Sequence, residues 1–358
     1  MTANDSETLI ARGDVSVPHV SVVLCTWNGA LWLPDFLRSL AAQDLVPDEL
    51  VVQDDNSTDG SAALVKEFAE TAPFPVLLEI NHERIGSTRN FERAMARSRG
   101  QIVALADQDD LWYPNKLARL VAVLDEDPIL TLAFSDADLL DASGVPTGRR
   151  LWDSRGNARY LRGHEVVPGT MFARRALSTG CTMAARRRGV DAALPFPATL
   201  DDPCAPMRHD RWLSLVAAAV GTVRAVPEPL LGFRVHPDQQ TGVLTRRQLA
   251  VRLQEAARAA LAGHDPVLAQ EHLARARQVA EAASRADELG DFEEADALRR
   301  IAEHHRVRAD LGTSRRAQLR QIATEVTEGG YDRSLLGAAS AAADVARALR
   351  GAPGPEHL

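Results

Sequence analysis

Residues 101–116 read Q-I-V-A-L-A-D-Q-D-D-L-W-Y-P-N-K, an apolar run from Ile102 to Ala106 that stops at Asp107, Asp109 and Asp110. A short apolar run bounded by polar residues fits a buried strand, so charge collects at one strand end. Carboxylates this close repel one another and raise each other's pKa unless a cation lies among them. The spacing therefore suits a hard divalent ion with oxygen ligands. It equally suits an acidic loop that opens the next helix, because Pro114 starts a helical pattern with Leu117, Leu120, Val121 and Leu124 on one face.

The same unit recurs upstream. Val20 to Cys25 is a β-branched run ending in T-W-N-G, where Asn28-Gly29 is turn chemistry, and Leu33, Phe36, Leu37 and Leu40 follow at helical spacing. Glu49 to Gln53 break at D-D-N-S-T-D-G before a helix with Leu64, Val65 and Phe68 inside. Val76 to Ile80 lead through N-H-E-R-I-G-S-T-R-N to a helix carrying Phe91, Ala94, Met95 and Ser98. Repeated strand-then-helix units predict a parallel sheet covered by helices on both faces, with right-handed connections. Ligands of such sheets lie beyond the carboxyl ends of the strands. Thr26, Asp54, Asp55 and the Asp107 to Asp110 cluster are thereby expected along one edge.

Beyond Asp127-Pro128, Ile129 to Phe134 reads as another strand ending in S-D-A-D, and residues 141 to 168 weaken into Gly, Arg and Pro, the composition of site-shaping loops. Thr182 to Arg186 reads as a strand bordering the site. R-H-D-R-W-L-S-L-V-A-A-A-V-G predicts a helix with Trp212, Leu215, Val216 and Ala219 inward and Asp210 in its first turn; Val223 to Val226 and E-P-L-L-G-F-R-V-H-P close this part. From Thr245 onward Ala, Arg, Glu and Leu dominate, with helical spacings at Leu268, Leu273 and Val279, at Phe292, Ala295, Leu298 and Ile301, and at Leu319, Ile322 and Val326. No fixed period holds, so a solenoid is rejected. The expected division is a flexible leader (1–17), an α/β domain (18–244), an all-helical extension (245–350) and a flexible tail (351–358).

A chain of 358 residues, 45% hydrophobic and 25% charged, can bury one sizeable α/β core plus a smaller appendage. A net charge of −8 argues against a nucleic-acid binder. Cys25, Cys181 and Cys204 form no C-x-x-C pair, so neither a disulfide framework nor a zinc knuckle is indicated and a reducing cytoplasm fits. The polar, acidic start lacks the pattern of a secretory signal, and no run of about 18 apolar residues occurs. The expectation is a soluble, cytoplasmic protein, with peripheral contact at the inner membrane face through an amphipathic helix left open.

Taken in order, V-S-V-V-L-C-T-W-N-G, V-V-Q-D-D-N-S-T-D-G, R-I-G-S-T-R-N-F and A-L-A-D-Q-D-D-L-W-Y-P-N-K-L resemble the family 2 glycosyltransferases, which have the GT-A (Rossmann-like) fold. The D-Q-D-D-L-W form, with H-D-R-W-L and F-R-V-H-P, is most similar to the bacterial rhamnosyltransferase-like branch that builds surface polysaccharides. The resemblance covers residues 18 to 240. It implies a metal-dependent, inverting enzyme that moves a sugar from a nucleotide-diphospho-sugar, such as dTDP-rhamnose or a UDP-hexose, to a hydroxyl acceptor on a sugar, a lipid-linked glycan or a small molecule.

By that resemblance Thr26, Trp27 and Asn28 border the nucleobase, and Asp55 accepts the pyrimidine N3 proton. Arg89 lies near the base and phosphates, Asp107 meets the ribose or a metal-bound water, and Asp109 ligates Mn or Mg at the diphosphate. His236 completes the metal or diphosphate contacts, and Asp210 takes the proton of the acceptor hydroxyl. Each residue has a plainer reading. Trp27 and Trp112 suit core packing, Asp54 a cap, Asp59 and Gly60 a turn, Arg89 a solvated helix, Asp210 a helix N-terminus and His236 a structural contact. Asp201 and Asp202 are rivals for the base. His164 with Arg149, Arg150, Arg155 and Arg162 would attract an anionic acceptor or simply keep a loop hydrated. Two other functions remain: a nucleotidyltransferase, although T-W-N-G-A-L-W lacks a Gly-rich triphosphate loop, and a non-catalytic sugar-nucleotide-binding module. The helical extension would serve acceptor binding, homo-oligomer formation or membrane-surface docking.

Overall fold

The computed structural model describes residues 8–10, 19–161, 166–237, 239, 266–310, 319–320, 322–323, 341–342, 344–345 and 348. These fall into two compact units: Met1–Phe196 with Arg208–Val243, and Pro197–Met207 with Leu244–Leu358. The second takes in 197–207, a stretch inside the range that the sequence assigned to the α/β domain. Of the expected leader, Thr8–Ile10 (β1) is an edge strand; the rest of 1–17, the boundary at 244–245, His164, Arg162, Val326 and the 351–358 tail lie outside the described residues.

The first unit opens with β2 (Val20–Thr26), α1 (Leu33–Ala41), β3 (Glu49–Asp54), α2 (Ser61–Thr71), β4 (Val76–Ile80), α3 (Ser87–Arg97) and β5 (Ile102–Asp107). It continues through β6 (Leu111–Trp112), α4 (Lys116–Asp125), β7 (Leu130–Leu140), β8 (Pro146–Arg150), α5 (Leu151–Ser154), α6 (Ala158–Leu161) and α7 (Gly169–Arg174), and closes with β9 (Met183–Arg186), α8 (Arg187–Ala193), α9 (His209–Ala219) and β10 (Thr222–Arg234). The sheet order is β1-β4-β3-β2-β5-β9-β7-β10-β6, with β8 on β7. Strands β4, β3, β2 and β5 are parallel, as the repeated units predict. Of these, β2, β3 and β5 are buried on both faces, and Val22, Leu24, Leu50 and Val52 pack with Leu33, Phe36 and Leu40 of α1.

The wholly parallel sheet expected from the sequence is corrected to a mixed one. Strand β9 runs antiparallel to both β5 and β7, and β6 antiparallel to β10. The connection from β7 to β9 therefore starts and ends at the carboxyl edge, while Val166 and Val167 between them pair with Arg224 and Val223 at the start of β10. Strands β7 and β10 also outrun their expected ends at Phe134 and Val226. β10 crosses Pro227 and Pro229 by shifting register against β7, so the prolines sit where ladder bonds are skipped.

In the second unit α10 (Pro266–Glu288) and α11 (Phe292–Ala309) are joined at Gly290, whose φ of +85° suits glycine. Asp291 caps α11 by accepting from the Glu294 amide. The buried surfaces are mostly small: Ala274, Val279, Ala282, Ala283 and Ala286 on α10, and Ala295, Leu298, Ile301 and Ala302 on α11. Leu273, one of the residues at helical spacing, is 38% exposed. The Gln278 amide donates to the carbonyls of Thr199 (2.9 Å) and Ala205 (2.7 Å), tying 197–207 to α10. Among the described residues no helix is long and apolar enough to cross a membrane.

His272 and His305 meet between these helices with Nδ1 atoms 3.0 Å apart. Burial, then Arg308, pushes His272 down to about 3 against the pull of Asp344; burial, then His272 and His304, pushes His305 down to about 2. Above pH 6.5 both imidazoles are neutral folded or unfolded. Below it the unfolded chain binds protons that the folded unit refuses, so stability falls with pH by up to about 1.4 kcal/mol per pH unit for each group. Hydrogen exchange over residues 266–309, corrected for intrinsic rate, should quicken from pH 7.5 to 5, and a His272→Gln/His305→Gln variant should lose that dependence. Equal protection at both pH values would show that the imidazoles protonate in place.

Candidate functional site

The register of the parallel strands sets the frame: Cys25 lies opposite Asp107 and Thr26 opposite Asp54. The Thr26 hydroxyl donates to Asp54 Oδ2 at 2.6 Å, and Asp54 also accepts from the Ser57 amide (2.7 Å) and hydroxyl (2.6 Å). Asp54 is thus spent on the loop after β3. Asn28 has a φ of 45° and accepts from the Thr58 amide, while Asp59 accepts from the amides of Ala30 and Ser61 and from the Ser61 hydroxyl. Burial raises the Asp59 carboxyl, but these donors outweigh it and hold it below its ordinary value. The two loops at the tips of β2 and β3 are therefore laced together.

Gln108, the middle residue of D-Q-D, closes the frame from the third strand. Its Oε1 accepts from the Trp27 amide (2.9 Å) and its Nε2 donates to the Trp27 carbonyl (3.0 Å). Trp27 is half-buried, with the Arg84 guanidinium 3.4 Å from its ring centre. Asp55 is 3% exposed and accepts from Asn81 Nδ2 (2.9 Å) and the amides of Ile85 (2.8 Å) and Gly86 (2.9 Å). Arg89 is turned elsewhere: it meets Glu92 at 2.6 Å and the Phe196 carbonyl at 3.0 Å.

At the end of β5 the carboxylates take different surroundings. Burial, then Asp109, raises Asp107 to about 7; Arg208 opposes this and Asp210 adds to it. Asp109 Oδ2 stands 2.9 Å from His236 Nε2, whose ring is 5.0 Å from that of Trp32. Burial, then Asp109 and Asp107, pushes Asp110 well above the usual carboxylate range. Its Oδ1 accepts from the Arg234 amide at 3.1 Å, and its Oδ2 is buried without a partner among the described residues. Ligand atoms of Asp107, Asp110 and Cys181 lie within 4.8 Å of one another. This trio has its own cation nearby: the buried Lys116 ammonium donates to the Cys181 carbonyl and lies 3.5 Å from the centre of the Trp112 ring. Burial pushes Lys116 down to about 7 against the pull of Cys181, Asp110 and Asp107.

Asp210 opens α9, where it accepts from the Arg211 amide (2.8 Å) and, at 3.3 Å, from the Gly180 amide. Burial raises its carboxyl, but His209 where it is protonated, then Arg208, the Arg211 amide and Arg155 outweigh that and hold it low, so it is ionised at neutral pH, where His209 itself is uncharged. His209 is stacked on Phe91 at 3.8 Å and pushed down to about 4, first by burial. Asp201 and Asp202 fall in the second unit, where Asp202 faces Arg277 at 3.5 Å.

One cavity of about 390 Å³ gathers most of the expected residues: Thr26, Trp27, Asn28, Asp55, Asp107, Asp109 and His236 all line it. Arg89 and Asp210 do not, although Asp210 is near enough for Asp107 to feel its charge. Gln108, Arg208, Trp32, Asn90, Phe91 and Phe233 line it as well and were not expected. Arg208 carried a signal, since it directly precedes His209-Asp210. Asp109 and His236 fit a hard divalent ion. Adjacent ligands of an octahedral ion with bonds of about 2.1 Å stand about 3 Å apart, close to the 2.9 Å between these two atoms.

A mixed sheet with a nucleotide-sized, acid-lined cavity at its carboxyl edge defines a GT-A-type protein. In fold it is similar to Staphylococcus aureus TarS 1–349, solved in complex with UDP, with a TM-score of 0.52 and 18% identity over 88% of this chain and 93% of that one. Residues 21–178 match the family model glycosyl transferase family 2. A Nostoc glycosyltransferase, alr2836, is 30% identical over 223 residues, 61% of this chain and 65% of that one. The Mycobacterium tuberculosis protein Rv1520 is 27% identical over 222 residues, covering 61% and 59%. The dTDP-rhamnosyl transferase RfbG of Shigella flexneri is 26% identical over 134 residues, covering 36% and 44%. The chain thus spans about six-tenths of the length of the first two relatives.

A Cβ on Gly29 would lie 2.1 Å from Gln108 Oε1, the far end of a flexible side chain. Gly29→Ala should therefore evict the Gln108 amide from Trp27 and lower the unfolding midpoint only by the worth of two hydrogen bonds, about 1 kcal/mol each. With Trp27 no longer held in place, nucleoside diphosphate should also bind on the order of 10-fold more weakly, because the loop must be ordered on binding, read by calorimetry. A full drop in midpoint with unchanged affinity would assign the clamp to folding alone.

Proposed function

We propose that this protein is a metal-dependent, inverting glycosyltransferase that moves a sugar from a nucleotide-diphospho-sugar to a hydroxyl acceptor, with surface polysaccharide or glycoconjugate synthesis as its setting. The observation that carries the reading is the meeting of Thr26, Trp27, Asn28 and Asp55 with Asp107, Asp109 and His236 around one cavity. The glycosyltransferases among the relatives support it, and RfbG favours dTDP-rhamnose among donors. Cys25, Cys181 and Cys204 are all free thiols, as suits a cytoplasmic enzyme.

In this mechanism Trp27 and Asp55 receive the base, the indole by stacking and the carboxylate by accepting the ring N–H. Asp107 stands at the ribose. Asp109 and His236 would hold Mn or Mg, which when bound neutralises charge developing on the departing nucleoside diphosphate. Asp210 accepts the proton of the acceptor hydroxyl as that oxygen attacks the anomeric carbon. The bond from that carbon to the phosphate oxygen breaks on the opposite face, so one displacement inverts the centre. The neighbours that keep Asp210 ionised make it ready to take a proton without a prior deprotonation.

Incubation with a panel of nucleotide sugars and Mn should release nucleoside diphosphate slowly; release of pyrophosphate would instead support a nucleotidyltransferase, and no release from any donor a binding module. Asp210→Asn should keep donor affinity and lower turnover by roughly 10²-fold or more, the scale of a lost general base. Normal turnover in that variant would remove the role. Asp109→Ala should abolish the Mn-dependent part of the donor-induced rise in melting midpoint, and an unchanged rise would take Asp109 out of the metal site.

A further inference from the structure

The connection that returns from β7 to β9 at the ligand edge is rich in arginine. Arg155 sits at its inner end. Its Nη1 donates to Thr179 Oγ1 at 3.0 Å, and its guanidinium carbon lies 5.6 Å from the centre of the Phe233 ring, a wall of the cavity. The residue after Thr179 is Gly180, whose amide reaches Asp210. Arg155 Nη2 is buried and meets no acceptor among the described residues. A desolvated N–H of a cation left unpaired costs more than that of a neutral group, so it is a donor waiting for an oxygen.

Further out, the guanidinium carbons of Arg159 and Arg175 both lie over the Tyr160 ring, at 4.7 Å and 4.4 Å. No carboxylate pairs with either among the described residues, whereas Arg150 is spent on Asp138 at 2.9 Å. Like charges gathered on one ring repel, and an oxyanion between or beside them would relieve that cost.

We infer that Arg155, Arg159 and Arg175 form the acceptor subsite and that the acceptor carries an oxyanion, a phosphate ester or a carboxylate, close to the hydroxyl that is glycosylated. The inference rests on the transferase reading above, which leaves the acceptor open. It puts the anion beside Arg155, whose charge Asp210 feels, rather than on the Asp109–His236 pair that would serve the donor diphosphate.

The test is calorimetric titration of the full chain, in Mn and excess dTDP or UDP, with glycerol, sn-glycerol 3-phosphate and glycerate. The two anions should bind and glycerol should not. Arg155→Gln and the double variant Arg159→Ala/Arg175→Ala should each weaken anion binding about 10-fold or more, the loss of roughly one charge-assisted hydrogen bond. Should Arg155→Gln fold poorly, the half-exposed outer pair carries the test. Equal binding of glycerol and its phosphate, no binding of either anion, or undiminished binding by the outer-pair variant overturns the subsite. Nucleoside diphosphate release by the wild type, measured separately, judges the transferase reading alone. Anion binding without release would sink that reading and keep the subsite, and release without anion binding would do the reverse.

Discussion

Four carboxylates, Asp107, Asp109, Asp110 and Asp210, are held close together in nearly dry surroundings, and the rest of the α/β unit is arranged so that this can persist. Desolvation and mutual repulsion both push a carboxyl towards its neutral form. The chain answers differently at each position. Asp110 yields and is pushed far up; Asp107 is raised to about 7; Asp210 is kept ionised at neutral pH by Arg208, the Arg211 amide and Arg155. Asp109 takes a histidine. A cluster that would disperse in an open loop is fixed because cations from separate elements, Lys116 of α4, Arg208 before α9 and Arg234 of β10, come to meet it.

That convergence depends on the sheet being mixed. Had the second half continued the parallel order, the connection to β9 would have crossed to the far edge, and Thr179, Gly180 and Cys181 would have ended there. Because β9 runs backwards, the connection from β7 returns to the carboxyl edge before β9 begins, and this brings the Gly180 amide to Asp210 with Arg155 beside it. The extra length of β10 does the same for His236, which lies just beyond Arg234 and opposite the turn that carries Asp109.

The first half of the fold was legible in the sequence because each element buries itself locally. A strand covered on both faces must be apolar throughout, and its helix must show a stripe, so β2, β3 and β5 with their helices could be read one at a time. The cavity residues at their tips followed from the sheet alone. What escaped was set by pairings between distant segments. The reversal of β9 leaves no local mark, and Gln108 looks like a spacer until its amide is seen spanning Trp27. That Arg89 pairs with Glu92 could not be read either, because a helix pattern does not tell which of its polar residues will find a carboxylate. The inner face of α10 carried little signal because alanines, weak in any hydrophobic pattern, do the packing.

Arg234 shows why such long-range pairings have to be specific. It is 2% exposed, and its guanidinium donates to the Asp109 carbonyl (2.9 Å), the Ala142 carbonyl (3.1 Å) and Asp35 (3.1 Å), with its face 4.7 Å from the centre of Trp32. One planar fork thus ties α1, the acidic turn and the loop after β7 to the strand that delivers His236. Its own amide meanwhile holds Asp110. A lysine could balance the charge, but three donors on a compact ammonium cannot reach three acceptors spread around a plane while stacking on an indole. The position of Asp109 relative to His236 is therefore inherited from an arginine that touches neither of their side chains, and the fit of that pair to a single cation is a property of the fold as much as of the two residues.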